Sequence, residues 1–93
     1  MKAIWNNKII AESDKTILIE GNHYFPPNSI NKEFLIKSNI TTMCSWKGKA
    51  NYFSIKVNGK LNKDCAWYYP DPLEEAKQIK EYVAFWKGVE LKN

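Results

Sequence analysis

The sequence predicts a single compact domain over residues 1–93, mainly β and antiparallel, with two peripheral helices, one short and one longer. Three observations lead there. Tyr52 to Val57 alternates, with Tyr52, Ser54 and Lys56 on one face and Phe53, Ile55 and Val57 on the other; Asn58-Gly59, the preferred type I′ turn pair, follows it. Short β-branched or aromatic segments recur along the chain with turn residues between them. Ninety-three residues with 44% hydrophobic content enclose one core, and no linker divides them.

Taken in order, Lys2 to Trp5 and Lys8 to Glu12 flank Asn6-Asn7, a pair that tolerates positive φ, and read as a hairpin. Thr16 to Glu20, T-I-L-I-E, is a strand bounded by Gly21-Asn22. His23-Tyr24-Phe25 stays extended until Pro26-Pro27, because a residue before proline is pushed out of the α region. Ser29 is placed to cap a short helix over Ile30 to Lys37, with Phe34 as its inward anchor beside Ile30 and Leu35. Lys60 to Tyr69 returns antiparallel to Tyr52–Val57. In P-D-P-L-E-E-A, Asp71 has the character of an N-cap, Pro72 of a first helical residue and Glu74 of a capping-box partner. A second helix is expected from there to Lys80 or Tyr82, burying Leu73, Ala76 and Ile79. A last strand is expected around Val89 to Leu91.

Composition narrows the partners. All apolar runs are far shorter than the roughly 20 residues of a membrane helix, and charge interrupts the N-terminal segment too often for a secretory leader. No membrane partner is expected, and the expected location is the cytoplasm. Two cysteines, Cys44 and Cys65, are too few for a disulfide framework or a four-ligand zinc site, so free thiols and no metal or other cofactor are expected. The net charge of +4 comes with 14 lysines and no arginine, the residue that grips phosphate and guanine bidentately. A solvated lysine-rich surface is favoured over a nucleic-acid footprint. Lys47, Lys49, Lys56, Lys60 and Lys63 are the one candidate basic patch.

The chemistry-bearing stretch is Thr41 to Phe53, T-T-M-C-S-W-K-G-K-A-N-Y-F, where a thiol, an indole, two ammonium groups and a glycine lie within a few residues. Cys44 is either a nucleophile whose thiolate Lys47 favours or a small buried hydrophobe at a strand end. His23, the one histidine, is either a general acid or base tuned by a nearby carboxylate or an imidazole satisfied by its loop. Glu20 ends an apolar strand on the face of Leu18; pointing inward, it needs a partner, for which Lys47 and His23 are the natural candidates. Cys44, Lys47, His23 and Glu20 are thus the candidate catalytic residues. Most of the aromatic load must be core. Trp67-Tyr68-Tyr69, however, are consecutive on a strand and face opposite sides, so at least one ring lies off the core face or at its rim. Tyr24, Trp46, Lys47 and Trp67 are the candidate ligand-binding residues, with indoles suited to stacking on a planar ligand or caging a cation.

Three phrases carry a resemblance: E-G-N-H-Y-F-P-P at Glu20 to Pro27, T-x-C-S-W-K-G-K-A-x-Y at Thr42 to Tyr52, and A-W-Y-Y-P-D-P at Ala66 to Pro72, followed by V-A-F-W. Together they resemble domain of unknown function 427, a family of small bacterial and fungal proteins sometimes labelled nucleotidyltransferase-like. The resemblance spans nearly the whole chain. It implies a fold similar to the β-tent, the antiparallel architecture also found in methionine sulfoxide reductase B and in the thalidomide-binding domain of cereblon. Ser45 departs from the proline usual after the motif cysteine, and Cys65 from the more frequent alanine. β-Tent relatives commonly hold zinc with two C-x-x-C pairs. Here Lys47 and Tyr68 stand at the third positions after Cys44 and Cys65, so the hydrophobic core is expected to hold the fold alone.

Two function classes follow. The leading expectation is a small-molecule-binding domain, enzymatic or not, with its pocket between the Glu20 to Tyr24 exit, the Cys44 to Gly48 turn and Trp67. The competing one is an interaction module whose lysine-rich hairpin around Asn58-Gly59 contacts an acidic protein or nucleic acid. Nucleotidyl transfer is the third and weakest, because it uses metal ions on closely spaced carboxylates and a phosphate-cradling loop. Asp64 and Asp71 are separated, and Gly48 alone is no phosphate loop.

Overall fold

Tight turns close the hairpins where asparagine and glycine stand in the sequence. The computed structural model describes residues 1–93. Asn6 and Asn7 (φ 49° and 65°) join β1 (Lys2–Trp5) to β2 (Lys8–Glu12), and Asn58 and Gly59 (φ 50° and 79°) join β6 (Gly48–Val57) to β7 (Lys60–Tyr68). Both turns have positive φ at two consecutive positions, the type I′ signature, which matches strand twist. The other strands are β3 (Ile17–Ile19), β4 (Asn22–Tyr24), β5 (Leu35–Cys44), β8 (Val83–Phe85) and β9 (Glu90–Lys92). All pair antiparallel, in three sheets ordered β2-β1-β9, β3-β4 and β5-β6-β7-β8. The mainly β, antiparallel reading therefore holds.

Neither expected α-helix forms. In place of the first, Lys32–Phe34 makes one 3₁₀ turn, and Leu35 begins a ten-residue strand. Ile36, Ile40, Thr41 and Thr42 favour extended backbone, and pairing of Leu35 with Ile55 and of Lys37 with Phe53 outweighs a local cap. Ser29 Oγ donates back to Pro26 O at 2.7 Å instead of capping a helix. After Pro72, Glu74–Ile79 is 3₁₀ with a break at Ala76 (φ −113°, ψ 15°), and no side chain caps it; Asp71 is not its N-cap. The Leu73 amide, which a helix would leave to a cap, donates to Lys47 O at 2.9 Å and ties this segment to the β5–β6 turn. A further strand, β8, precedes the expected terminal one.

β6, β7 and β8 pack side chains into cores on both faces of the four-stranded sheet while β5 at its edge is largely exposed, and side-chain alternation divides the two cores between the faces. Val83 and Phe85 of β8 join Ile55, Val57 and Cys65 in a cluster that extends to Ala3, Ile10 and Phe25. Ala84, between them, joins Tyr24, Ala50, Tyr69, Ala76 and Ile79 on the other side. Phe25 and Val83 exchange two backbone hydrogen bonds, at 2.8 and 2.9 Å, and so dock the β3-β4 hairpin onto the edge of this sheet. No helix is long and apolar enough to cross a membrane.

Candidate functional site

Cys44 of β5 pairs with Gly48 of β6, leaving Ser45, Trp46 and Lys47 as a three-residue connection. Such connections close on a residue with positive φ, and Gly48 supplies it at 107°. A Cβ on Gly48 would also stand 3.4 Å from the Leu73 nitrogen. The loop is therefore pinned between the sheet and the segment after Pro72, and it turns the Lys47 side chain inward, where the residue is only 5% exposed.

Buried, the Lys47 ammonium needs a counter-charge, and it forms an ion pair with Glu20. Glu20 does not extend β3 on the face of Leu18. It sits in the β3–β4 turn with φ 54°, followed by Gly21 at 81°, which swings its carboxylate toward the loop. Trp46 Nε1 donates to the second carboxylate oxygen at 3.4 Å, while the ammonium lies 4.6 Å from the Trp46 ring centroid and 5.9 Å from that of Tyr69. Burial opposes the ammonium, but Glu20 first and the Cys44 sulfur second outweigh it and hold Lys47 well above the ordinary lysine range. The same hydrogen bond holds Glu20 below the usual carboxylate range. The Glu20 side chain is 57% exposed, so solvent screens its half of the pair.

Burial alone would push the Cys44 thiol up; the amides of Trp46 and Lys47, and then the Lys47 ammonium, outweigh it, and the thiol ionises more readily than an ordinary cysteine. Cys65 is the opposite case. It is fully buried in the other core, and burial pushes its thiol up to about 11.

Beside the pair lies a cleft of about 220 Å³ walled by Glu20, Tyr24, Lys47, Trp67, Tyr69 and Trp86, with Asn22 and Tyr52 completing it. Trp67 stands edge-on to both Tyr24 and Trp86, with centroids 6.2 Å apart in each pair. Its indole N–H donates to the Tyr24 hydroxyl at 3.2 Å, leaving the phenol proton free to donate onward. Burial pushes the Tyr24 phenol up and that of Tyr69 to about 12, so both are neutral donors at physiological pH.

Of the candidate ligand-binding residues, Tyr24, Lys47 and Trp67 line this cleft, and Trp46 braces Lys47 and Glu20 from beside it. Of the candidate catalytic residues, Glu20 and Lys47 meet directly. Cys44 is coupled to Lys47 but is not among the lining residues. His23 is not brought to the site: it alternates with Asn22 and Tyr24 on β4, and its Nδ1 lies 2.9 Å from Thr16 Oγ1. Burial removes Lys47 from the basic patch, leaving Lys49, Lys56, Lys60 and Lys63 exposed. Asn22, Tyr52, Tyr69 and Trp86 line the cleft without having been singled out for it. Alternation held the signal for two of them, since Asn22 shares the Tyr24 face of β4, and Tyr52 opposes Trp67 across the β6–β7 pair.

No group of three or more His, Cys, Asp or Glu side chains converges anywhere in the molecule. A larger cavity of about 340 Å³ lies on the opposite side of the four-stranded sheet, lined by Tyr68 and Phe53, the sheet neighbours of Trp67 and Tyr52 that point the other way. It contains none of the candidate site residues; the smaller cleft is the one with a buried charge, Lys47, in its wall. No curated protein matches the chain. A family model does match, over residues 1–92, and by that match across essentially its whole length the chain belongs to the family described as a domain of unknown function (DUF427).

Proposed function

We propose that the cleft beside Lys47 is a small-molecule-binding site and that its ligand carries an oxyanion, a carboxylate or a similar group. The observation that carries this reading is a buried ammonium in the wall of an aromatic cleft, ion-paired with a single exposed carboxylate. Lys47 is protonated throughout the physiological range, so it serves as a fixed cation and not as an amine nucleophile. The Tyr24 and Tyr69 phenols supply further donors. A ligand oxyanion shares the ammonium with Glu20, and the Trp67 and Trp86 rings cover the ligand's flat body. The volume sits below the roughly 300–1,000 Å³ of sites for drug-sized ligands. The cleft therefore fits a fragment-sized acid or the acidic end of a longer molecule. The nucleotidyl-transfer reading has no comparable support, because no carboxylates converge to hold metal ions.

Benzoate and its neutral isostere benzamide test this reading by isothermal titration and tryptophan fluorescence. Benzoate is expected to bind with millimolar or better affinity, benzamide more weakly, and Lys47→Met to abolish the difference. A walled site responds little to salt, whereas binding through exposed lysines of the β6–β7 hairpin weakens steeply with it. If benzoate and a series of small aliphatic and aromatic carboxylates leave the fluorescence unchanged at millimolar concentration, the proposal fails.

A further inference from the structure

The cavity on the opposite side of the four-stranded sheet is larger than the cleft and chemically different. Ile30, Leu35, Phe53, Tyr68 and Val83 wall it, and three charged residues, Lys32, Lys37 and Glu81, border it. Phe53 and Tyr68 are stacked, with centroids 4.5 Å apart and planes at 16°, so each ring covers one face of the other and the pair offers its outer ring face and its edges as apolar wall. Both rings remain partly exposed. About 340 Å³ falls within the range of small-molecule sites. All three bordering charges are exposed, and none is in an ion pair. Two ammonium groups against one carboxylate give the border a positive excess, on a chain whose net charge is already +4. Lysine stems lie along apolar surface while the charged heads reach past it, which puts cations where the head of an amphipathic ligand would sit.

We propose that this cavity is a second ligand site, independent of the cleft beside Lys47, and that it takes a monocarboxylate with a flat apolar body, the body lying on the Phe53–Tyr68 pair and the carboxylate meeting Lys32 and Lys37. The cleft offers a buried cation to a small acid; this cavity offers apolar area first and exposed cations second. The two sites share no lining residue, although adjacent positions on β6 and β7 supply both. Occupancy of either can therefore be read without the other.

The probe is 2-naphthoate, with 2-naphthylmethanol as its neutral counterpart, titrated against the 93-residue protein by ¹H–¹⁵N correlation spectroscopy. The expected result is saturable shifts at Leu35, Phe53, Tyr68 and Val83 amides that persist in Lys47→Met, where the cleft has lost its cation, and weaker binding of the alcohol. The double variant Lys32→Glu, Lys37→Glu changes exposed residues and leaves the core intact. Each exposed ion pair is weak, but reversing both charges is expected to reduce naphthoate affinity about tenfold while leaving the alcohol unaffected. A Leu35→Glu substitution, which places a carboxylate in the apolar wall, is expected to remove binding of both. Shifts confined to the Lys47 cleft, no saturation at millimolar naphthoate, or equal affinity of the charge-reversed protein would each overturn the proposal. So would a dimer in sedimentation that protects the Phe53 and Tyr68 amides, since a second copy would then be the occupant.

Discussion

Lys47 shows how one buried charge organises its surroundings. An ammonium removed from water demands a carboxylate, and the positive-φ turn at Glu20-Gly21 exists at the place where it delivers one. The linkage follows from the directions of the shifts. Glu20 has a lowered folded value, so the stabilisation it contributes is present above the ordinary carboxylate value of 4.5 and is lost as pH falls through the folded value. Lys47 has a raised one, so its contribution is complete below its ordinary 10.5 and disappears only in strong alkali. The pair is intact across the neutral range. Trp46 fluorescence followed from pH 7 to pH 2 should show a transition on the acid side that is absent in Glu20→Gln. A second prediction concerns the thiols. Limited alkylation near neutral pH, mapped by mass spectrometry, should label Cys44 well before Cys65, and Lys47→Met should slow Cys44 by roughly fivefold. Labelling of Cys65 first, or an unchanged Cys44 rate in the variant, would show the two side chains to be uncoupled.

Among the elements, the hairpins were legible because their signals are local: Asn6-Asn7 and Asn58-Gly59 state the turn, and the alternation of Tyr52 to Val57 states the faces. The two expected helices that do not form had local signals as well, in Ser29 and in the Asp71-Pro72-Leu73-Glu74 run, yet distant partners overruled them. Leu35 finds Ile55, and the Leu73 amide finds Lys47 O, neither of which a window of ten residues can contain. The site was legible to a similar depth. Cys44, Trp46, Lys47 and Gly48 mark the turn that carries the buried charge, and Glu20 was a foreseeable partner. Trp86 reaches the cleft only because β8 pairs with β7, a long-range fact. For His23 the sequence left two roles open, because a lone imidazole says nothing of which strand face it occupies; its Nδ1 lies 2.9 Å from Thr16 Oγ1. The contact between Leu73 and the turn carries its own prediction. Gly48→Ala must hold an L residue at φ 107° and press a Cβ on Leu73, which is expected to cost about 1–3 kcal/mol in chemical denaturation. Gly59→Ala meets no neighbouring atom, so φ alone opposes it and its cost should be smaller.

Across the whole molecule, stability comes from two cores separated by one sheet and from the closure of the chain ends. β9 pairs with β1, Ala3 opposite Leu91, so the first and last strands complete one sheet. Ending the chain at Val89 removes that edge and exposes the Ala3 and Ile10 side of the larger core; the truncated protein is expected to melt several degrees lower in a calorimeter. Phe25, fully buried and edge-on to Phe85 at 5.5 Å, fixes the hairpin that carries Tyr24 and follows Glu20; Phe25→Ala is expected to cost about 3–5 kcal/mol and to loosen the cleft with it. The same dependence of site on fold makes Lys47 the place to test the central claim, that the cleft binds an acidic small molecule through a buried, Glu20-held ammonium. The direct measurement is NMR observation of the Lys47 side chain and the Trp67 indole N–H during titration with benzoate. The account predicts saturable shifts of both, parallel in concentration and absent for the indole in Lys47→Met. Shifts restricted to exposed lysines, or an indole response that persists without the ammonium, would contradict it.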